Sequence, residues 1–224
     1  MVAVWASTFE LIGEEKKLAS KVGTSALRAL GPPETNRSYE LGADYEQGRW
    51  SASAMLFRND VRNLVETVRQ PSCDVRGRVC LEYENLSRAR LQGLELTAGV
   101  NISRKWRLDT NYTYLDARDL TNDERLADRS RYRANATLGW TPTEQLGTRV
   151  RVEYIGEQYR SAILEERPAY TLLHWYVDYE VHRNLSLHAG IENLTDKRLA
   201  NDDASIYGRA DEGRRYFIGL TASF

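Results

Sequence analysis

From Arg37 onward, apolar and polar residues alternate along the chain with a period of two. In the clearest run, apolar or small side chains occupy every second position from Trp106 to Tyr114, with polar ones between them. Alternation over about ten residues is typical of long antiparallel strands with one apolar face. About nine such runs follow one another, and their apolar positions begin at Tyr39, Trp50, Leu94, Trp106, Tyr132, Val150, Leu173, Leu185 and Tyr216. The pattern predicts an all-β, antiparallel protein.

The predicted connections alternate in length. The short ones are Glu46–Arg49, Asn101–Lys105, Thr141–Gly147 and His182–Asn184. The long, polar ones are Arg69–Val79, Ala117–Ser130, Glu157–Ala169 and Thr195–Gly213. In an outer-membrane β-barrel the periplasmic turns are short and the extracellular loops are long, whereas a soluble sandwich has no reason to sort loops by length. The connections therefore favour a transmembrane β-barrel wall.

The two predicted faces differ in chemistry. The apolar face has aromatic residues near the strand ends, as expected at a membrane interface. The opposite face carries the charged residues expected in a water-filled lumen, namely Glu95, Asp109, Arg131, Arg133, Arg149, Arg151 and Glu153. A soluble β-sandwich is the alternative, but Tyr and Trp at strand ends would be harder to bury in its core.

Composition agrees with a strand-built membrane protein. The chain has 224 residues, a formal net charge of −1, and 13 Tyr and 5 Trp against 4 Phe. No stretch free of Asp, Glu, Lys and Arg is longer than Ala134–Thr143 or Pro168–Val177, whereas a transmembrane helix needs about 20 largely apolar residues. The balanced charge also argues against nucleic acid as a partner, because such proteins usually carry a basic excess.

The first part of the chain does not follow the alternation. Between Glu10 and Leu30, several apolar residues fall near helical spacing and Glu14–Lys17 is a run of charges. We expect residues 1–33 to be an irregular or partly helical lead-in, the remnant of an extracellular loop, and residues 34–224 to be the barrel segment. The choice between a helix and an irregular loop stays open.

Five stretches, in order along the chain, carry a family resemblance: Pro33–Gly42, Phe57–Val65, Asn85–Leu96, Ile191–Lys197 and Gly213–Phe217. Together they resemble the C-terminal barrel portion of TonB-dependent outer-membrane receptors. The fourth stretch is similar to the family's "NL.DK" box, and the fifth to the "GRRYF" start of its closing strand. The resemblance extends over about residues 32–224.

The resemblance implies that the chain is part of a receptor for energy-coupled uptake of ferric siderophores. About nine strands of a barrel of about 22 are present, without the plug and the TonB box through which TonB–ExbB–ExbD would act. The chain alone is therefore expected to be a fragment that does not transport. The loop from Asn201 to Phe217 is similar to that of catecholate and colicin receptors, so a ferric catecholate is the expected cargo. A passive structural or adhesion barrel, or a receptor for cobalamin, haem or another chelate, is the alternative.

Ferric catecholates are anionic, and arginine and aromatic groups bind such ligands by charge-assisted hydrogen bonds and cation–π contacts. The candidates in the predicted loops are Arg118, Arg125, Arg129, Arg131, Tyr207 and Arg209. The alternative is that they are ordinary solvated loop charges. A colicin or a phage is a further possible partner of these loops.

The closing strand has apolar side chains at every second position and ends in an aromatic residue. These positions are Tyr216, Ile218, Leu220, Ala222 and Phe224. Similar C-termini are recognised by the barrel-assembly machinery, and lipid of the outer membrane would contact their side chains. The alternative, that the chain ends in an ordinary edge strand, leaves the terminal aromatic unexplained.

The remaining chemistry is sparse. Cys73 and Cys80 lie in one predicted extracellular loop and can form a disulfide there, although a metal site or free thiols are alternatives. His174 and His188 are expected on neighbouring strands, about three residues out of register and too far apart to share a metal ion. No nucleophilic triad, phosphate loop or carboxylate pair is apparent, so we predict neither an enzyme nor a bound cofactor or metal.

Overall fold

The computed structural model describes residues 2–12, 33–69, 81–159, 167–198 and 213–223. These residues form eleven strands: β1 Val2–Ile12, β2 Thr35–Gln47, β3 Trp50–Arg69, β4 Leu81–Asn101, β5 Trp106–Asp119, β6 Glu124–Arg125, β7 Tyr132–Trp140, β8 Leu146–Ile155, β9 Tyr170–His182, β10 Leu185–Glu192 and β11 Arg215–Ala222. Within these ranges, no helix has the length and hydrophobicity that a membrane crossing requires.

All strands belong to one antiparallel sheet. Ten of them lie side by side in chain order, and the short β6 pairs with β5 outside this series. The nine predicted strands correspond to β2–β5 and β7–β11, so the predicted fold class is confirmed.

The lead-in differs from the prediction at its start. Val2–Ile12 is a strand that pairs with β2 along its whole length, from Val2 opposite Tyr45 to Ile12 opposite Thr35. The alternation is hidden in this segment because both of its faces carry apolar residues, Val4 on one side and Trp5 on the other. Residues 13–32 lie outside the described part of the chain.

Strand register divides the sheet into an apolar and a polar face. Residues opposite one another in neighbouring strands point to the same face, and successive residues alternate. Leu41 is opposite Leu56, which is opposite Leu94. Leu56 is 55% exposed and Ile218 is 75% exposed, and no large side chain of the described residues is fully buried. A sandwich would cover this face, so the exposed apolar surface contradicts the soluble alternative and fits a wall that faces lipid.

Two rows of aromatic residues border the apolar face. The row at the short-turn end contains Tyr45, Trp50, Trp106, Trp140 and Tyr179, and the row at the opposite end contains Tyr39, Tyr114, Tyr132, Tyr154 and Tyr216. Trp106 stacks on Trp140 with ring centroids 5.4 Å apart. Tyr114 lies eight positions after Trp106, which is about 27 Å along a strand and about 20 Å in height at barrel tilt. This height is close to that of the apolar band of outer-membrane barrels, about 25 Å.

The connections sort by length as predicted. Residues 48–49, 102–105, 141–145 and 183–184 join strands at one end of the sheet, and the longer connections lie at the other end. In the two-residue turn between β2 and β3, Gly48 has φ of 59°, a conformation that glycine adopts without a steric penalty. We call the two ends the turn end and the loop end.

Candidate functional site

The connection 120–131 lies over the polar face at the loop end. Leu126, 5% exposed, packs with Val61, Ala89 and Ala117, the small apolar cluster of this region. Its backbone N–H donates to the carbonyl of Ala117 at 3.0 Å. Because Ala117 is on the polar side of β5, these contacts hold the connection over the lumen side of the wall.

A buried carboxylate fixes the start of this connection. Asp119, 5% exposed, accepts hydrogen bonds from the backbone N–H of Thr121 at 2.7 Å and from the side-chain amide of Asn122 at 2.8 Å. Carboxylates that accept from the backbone two residues onward are a common device of tight turns. The chain therefore turns back immediately after β5.

The next long connection is joined to the first one. Ser130 forms a β-bridge with Gln158, and its hydroxyl donates to the carbonyl of Gly156 at 2.9 Å. The backbone N–H of Asp128 donates to the carbonyl of Tyr159 at 2.7 Å. The described parts of the two connections thus form one continuous surface at the loop end.

The base of the last connection is closed by the "NL.DK" residues. The Asn193 side chain accepts from the backbone N–H of Lys197 at 2.9 Å and donates to its carbonyl at 2.8 Å. Across the base, the Asp196 carboxylate accepts from the backbone N–H of Arg214 at 2.8 Å. A Cβ on Gly213 would overlap this carboxylate. The two motifs singled out in the sequence therefore contact each other and fix both ends of the connection.

The hydrogen bond at this base also affects protonation. The backbone N–H of Arg214, together with the nearby Arg198 guanidinium, lowers the pKa of Asp196 below its ordinary value of 3.8. Asp196 therefore remains a carboxylate at neutral pH.

Two of the predicted ligand-binding arginines lie on the apolar side of the sheet and not on its polar face. Arg118 is opposite Arg90 in β4 and Arg125 in β6, on the same side as the apolar band. Its guanidinium donates to Asp116 at 3.2 Å and to Asp123 at 3.3 Å. Register thus places Arg118 and Arg125 away from the lumen side.

Arg131 lies on the lumen side. Its carbonyl accepts from the backbone N–H of Leu115 at 2.9 Å and continues the register of β5 with β7, so Arg131 shares the polar face with Arg133. Arg129 donates to the carbonyl of Ala127 within the same connection at 2.9 Å.

Several predicted residues are outside the described part of the chain, namely Cys73, Cys80, Tyr207, Arg209 and Phe224. The other residues of the C-terminal pattern lie on the apolar face of β11, where Tyr216 is 68% and Leu220 is 69% exposed. The disulfide and the assembly signal stay predictions.

The polar face below the loop end is lined by paired charges. Glu153 lies 3.5 Å from Arg133, 3.7 Å from Arg151 and 3.8 Å from His174. Such pairs, with a predominance of arginine, are typical of a wall that faces water. The lumen-facing charges inferred from alternation are confirmed here.

A second group of charges lies nearer the turn end. Asp178 accepts from Arg149 at 2.7 Å and lies 2.8 Å from a ring nitrogen of His188, and the Arg149 guanidinium lies 5.0 Å from the centre of the Tyr176 ring. The pairing partners were not predicted, because alternation gives the face of a residue but not its cross-strand neighbour. His188 is opposite Asp178, so it is four residues out of register with His174 rather than three.

These features define a segment of an outer-membrane β-barrel wall whose polar face and long connections meet at one end. The family model described as TonB dependent receptor-like, beta-barrel matches residues 7–194. The chain belongs to this family, and its place is the outer membrane.

Named relatives include receptors for different cargoes. The chain is 27% identical to the ferric enterobactin receptor of Pseudomonas aeruginosa over 90% of its own length and 30% of the relative. It is 30% identical to the vitamin B12 transporter of Photobacterium profundum over 74% of its length and 27% of the relative. A solved ferric enterobactin receptor of P. aeruginosa in complex with enterobactin matches with 26% identity and a TM-score of 0.69, over 86% of this chain and 32% of that one. The chain thus spans about a third of the length of these proteins.

Proposed function

We propose that this chain is part of a receptor that imports ferric siderophores across the outer membrane by TonB-dependent transport. The family match and the relatives named for ferric enterobactin support this function. Because the chain spans about a third of such a receptor, the plug and the TonB box that couple to TonB–ExbB–ExbD would come from the remainder, and these residues alone would not transport. The ferric siderophore is cargo, and no cofactor is needed.

The connection 120–131 carries the proposal for the ligand site. Leu126 holds this connection over the polar face, and Arg131, its last residue, lies on the same face, one pleat from Arg133. A ferric catecholate that enters from the loop end would meet these cations first. Arg129 lies in the same connection, and Tyr207 and Arg209 stay proposed contacts in the last one.

The test is uptake of radiolabelled iron by an iron-starved strain whose outer membrane contains the receptor with this segment. We expect uptake of ferric enterobactin with TonB and none without it. TonB-dependent uptake of cyanocobalamin instead would indicate that the cargo is vitamin B12, the ligand in the name of the Photobacterium profundum relative. A folded barrel without uptake of any chelate would support the structural or adhesion alternative and contradict the proposal.

Matched arginine variants locate the ligand site. Arg131→Gln on the polar face is expected to weaken ferric enterobactin binding about tenfold, the loss expected for one charge-assisted contact. Arg118→Gln, with the same loss of charge on the apolar side, is expected to leave the affinity unchanged. Equal effects of both variants would contradict a site on the lumen side.

Two partners of the same receptor are part of the proposal. The exposed alternating side chains of β11 would be recognised by the barrel-assembly machinery, and the long connections would be accessible to a colicin or a phage. Removal of Phe224 is expected to reduce the amount of folded barrel in the outer membrane, measured by heat-modifiable migration in gels.

A further inference from the structure

Three aromatic rings lie next to one another on the polar face between β9 and β11. The ring centroids of His174 and Tyr176 are 6.2 Å apart with an interplanar angle of 8°, and those of Tyr176 and Phe217 are 6.1 Å apart. Gly190 of β10 is opposite Tyr176 on one side and opposite Phe217 on the other, and a Cβ on this glycine would overlap both rings. We call His174, Tyr176 and Phe217 the ring cluster.

The ring cluster exposes apolar surface on a face that is otherwise polar. Phe217 has no polar atom in its side chain, yet 45% of the residue is exposed. Tyr176 is half-buried, whereas His174 is buried. Apolar surface in water is unfavourable and gains free energy when a partner covers it. The rings of Tyr176 and Phe217 are therefore the part of the cluster that a ligand can contact.

Paired charges surround the ring cluster. The Arg149 guanidinium lies 5.0 Å from the centre of the Tyr176 ring and 2.7 Å from the Asp178 carboxylate. One pleat toward the loop end, Arg215 of β11 pairs with Glu192 of β10. Because each of these arginines has a carboxylate partner, the charges next to the rings nearly cancel. The rings, rather than a net charge, therefore determine which ligand this surface selects.

The ring cluster lies below the base of the last connection. Phe217 is two residues after the start of β11, and Gly190 is two residues before the end of β10. Two residues of a strand span about 7 Å. The contact between Asp196 and Arg214 closes the base directly above these strand ends. A cargo that enters the lumen from the loop end beside this connection therefore reaches the ring cluster next.

We propose that the ring cluster is an interior contact for the cargo, where an aromatic ring of a ferric catecholate stacks on Tyr176 and Phe217 during passage through the lumen. Contacts between aromatic rings are favourable beyond the area that they bury, and a guanidinium group beside a ring adds to the attraction. The paired charges hold an anionic chelate only weakly, which suits a contact on a transport path, because such a contact must also release its ligand. This inference rests on the proposed function and adds a site inside the lumen to the contacts at the loop end.

The test compares binding and uptake of radiolabelled ferric enterobactin by cells with the receptor that contains this segment. Binding is measured without TonB, and the maximal uptake rate is measured with TonB. We expect Tyr176→Leu with Phe217→Leu to leave the dissociation constant within about twofold and to lower the maximal rate about tenfold, since one ring contact changes an equilibrium by roughly two- to tenfold. Tyr176→Phe, which keeps the ring, is expected to keep the rate.

The matched control removes a ring from a glycine elsewhere on the polar face. The Phe57 ring covers Gly93 of the neighbouring strand. Among the residues that the structure describes, no second ring or guanidinium group lies against the Phe57 ring. Phe57→Leu is expected to keep both the affinity and the uptake rate. Heat-modifiable migration shows whether each variant is folded, and the single variant Tyr176→Leu gives the smaller loss of one ring.

The outcomes separate this contact from the proposed function. An unchanged rate in the folded double variant, or an equal loss in Phe57→Leu, would overturn the proposal. A loss of binding affinity without TonB that accounts for the whole effect would place the rings in the initial binding site and would also overturn it. Absence of ferric enterobactin uptake by the parent receptor would contradict the proposed function itself, whereas uptake that none of the variants changes would contradict only the interior contact.

Discussion

At the scale of single residues, glycines on the polar face mark where aromatic rings lie flat on the sheet. A Cβ on Gly190 would lie 2.6 Å from the Phe217 ring and 2.8 Å from the Tyr176 ring. A Cβ on Gly93 would lie 2.8 Å from the Phe57 ring and would overlap the carbonyl of Tyr114. Rings that cover glycines in this way restore packing that the missing side chain would have given.

The variant Gly93→Ala tests this packing. Because the added methyl meets a backbone carbonyl as well as a ring, we expect the barrel to lose about 1–3 kcal/mol of stability, the usual cost of overpacking. The measurement is the denaturant midpoint of the barrel in detergent. The control is Gly139→Ala on the same face of β7, where the nearest atom to the new Cβ is 3.8 Å away. Equal midpoints for the two variants would contradict the packing argument.

The Asp196 carboxylate gives the base of the last connection a pH dependence. Its pKa is lowered in the folded protein below the ordinary value of 3.8, so the contribution of its contact with Arg214 is complete above that ordinary value. That contribution is lost as the pH falls through the lower, folded value. We expect the Arg214 amide to lose protection from hydrogen exchange only in this acidic range, after correction for the intrinsic rate.

The control variants separate this contact from general acid unfolding. Asp196→Asn is expected to leave the Arg214 amide with less protection at neutral pH and with little change on acidification. Glu144→Gln, an exposed carboxylate of a turn-end connection, is expected to keep the original profile. A profile in Asp196→Asn that matches the parent chain would show that another group controls the amide.

At the scale of strands, alternation predicted the elements well and their contacts less well. Apart from the two-residue β6, the strands from β2 onward each have one apolar face across the band, whereas β1 has apolar residues such as Val4 and Trp5 on opposite faces and was missed for that reason. The side of Arg118 could have been predicted, because it continues the even-numbered apolar positions that begin at Trp106. The side of connection 120–131 could not, since it depends on Leu126 packing with residues of β3 and β4 as well as of the preceding β5.

The aromatic rows also belong to the scale of strands. Trp106 and Trp140 are directly opposite each other in β5 and β7, and their rings stack with an interplanar angle of 14°. Stacked aromatic pairs contribute about 0.5–1.5 kcal/mol beyond the area that they bury.

A double-mutant cycle measures this coupling. We expect Trp106→Leu and Trp140→Leu each to destabilise the barrel, and the double variant to be more stable than the sum of the two losses predicts, by about 0.5–1.5 kcal/mol. The same cycle on Trp50 and Trp175, which lie on strands that do not pair, is expected to be additive. Additive effects at Trp106 and Trp140 would show that the rings act as independent anchors.

At the scale of the whole molecule, the two faces and the two ends of the wall lie in different environments. The polar face meets water, the apolar band meets lipid, and the connections at the loop end meet the outside of the cell. The family could be inferred from five short motifs in order along the chain, and two of them, around Asp196 and Gly213, meet at the base of one connection. The cargo could not, since relatives of similar identity carry the names of different ligands.

The orientation in the membrane can be tested with two glutamates at opposite ends. Glu157 is exposed at the loop end and Glu144 at the turn end, and each is replaced by cysteine in a background with Cys73→Ser and Cys80→Ser. We expect a membrane-impermeant maleimide to label Glu157→Cys in intact cells, and Glu144→Cys only after the outer membrane is permeabilised, because long connections are extracellular in such barrels. The opposite labelling pattern would invert the wall, place the long connections in the periplasm and contradict a ligand site that is entered from the loop end.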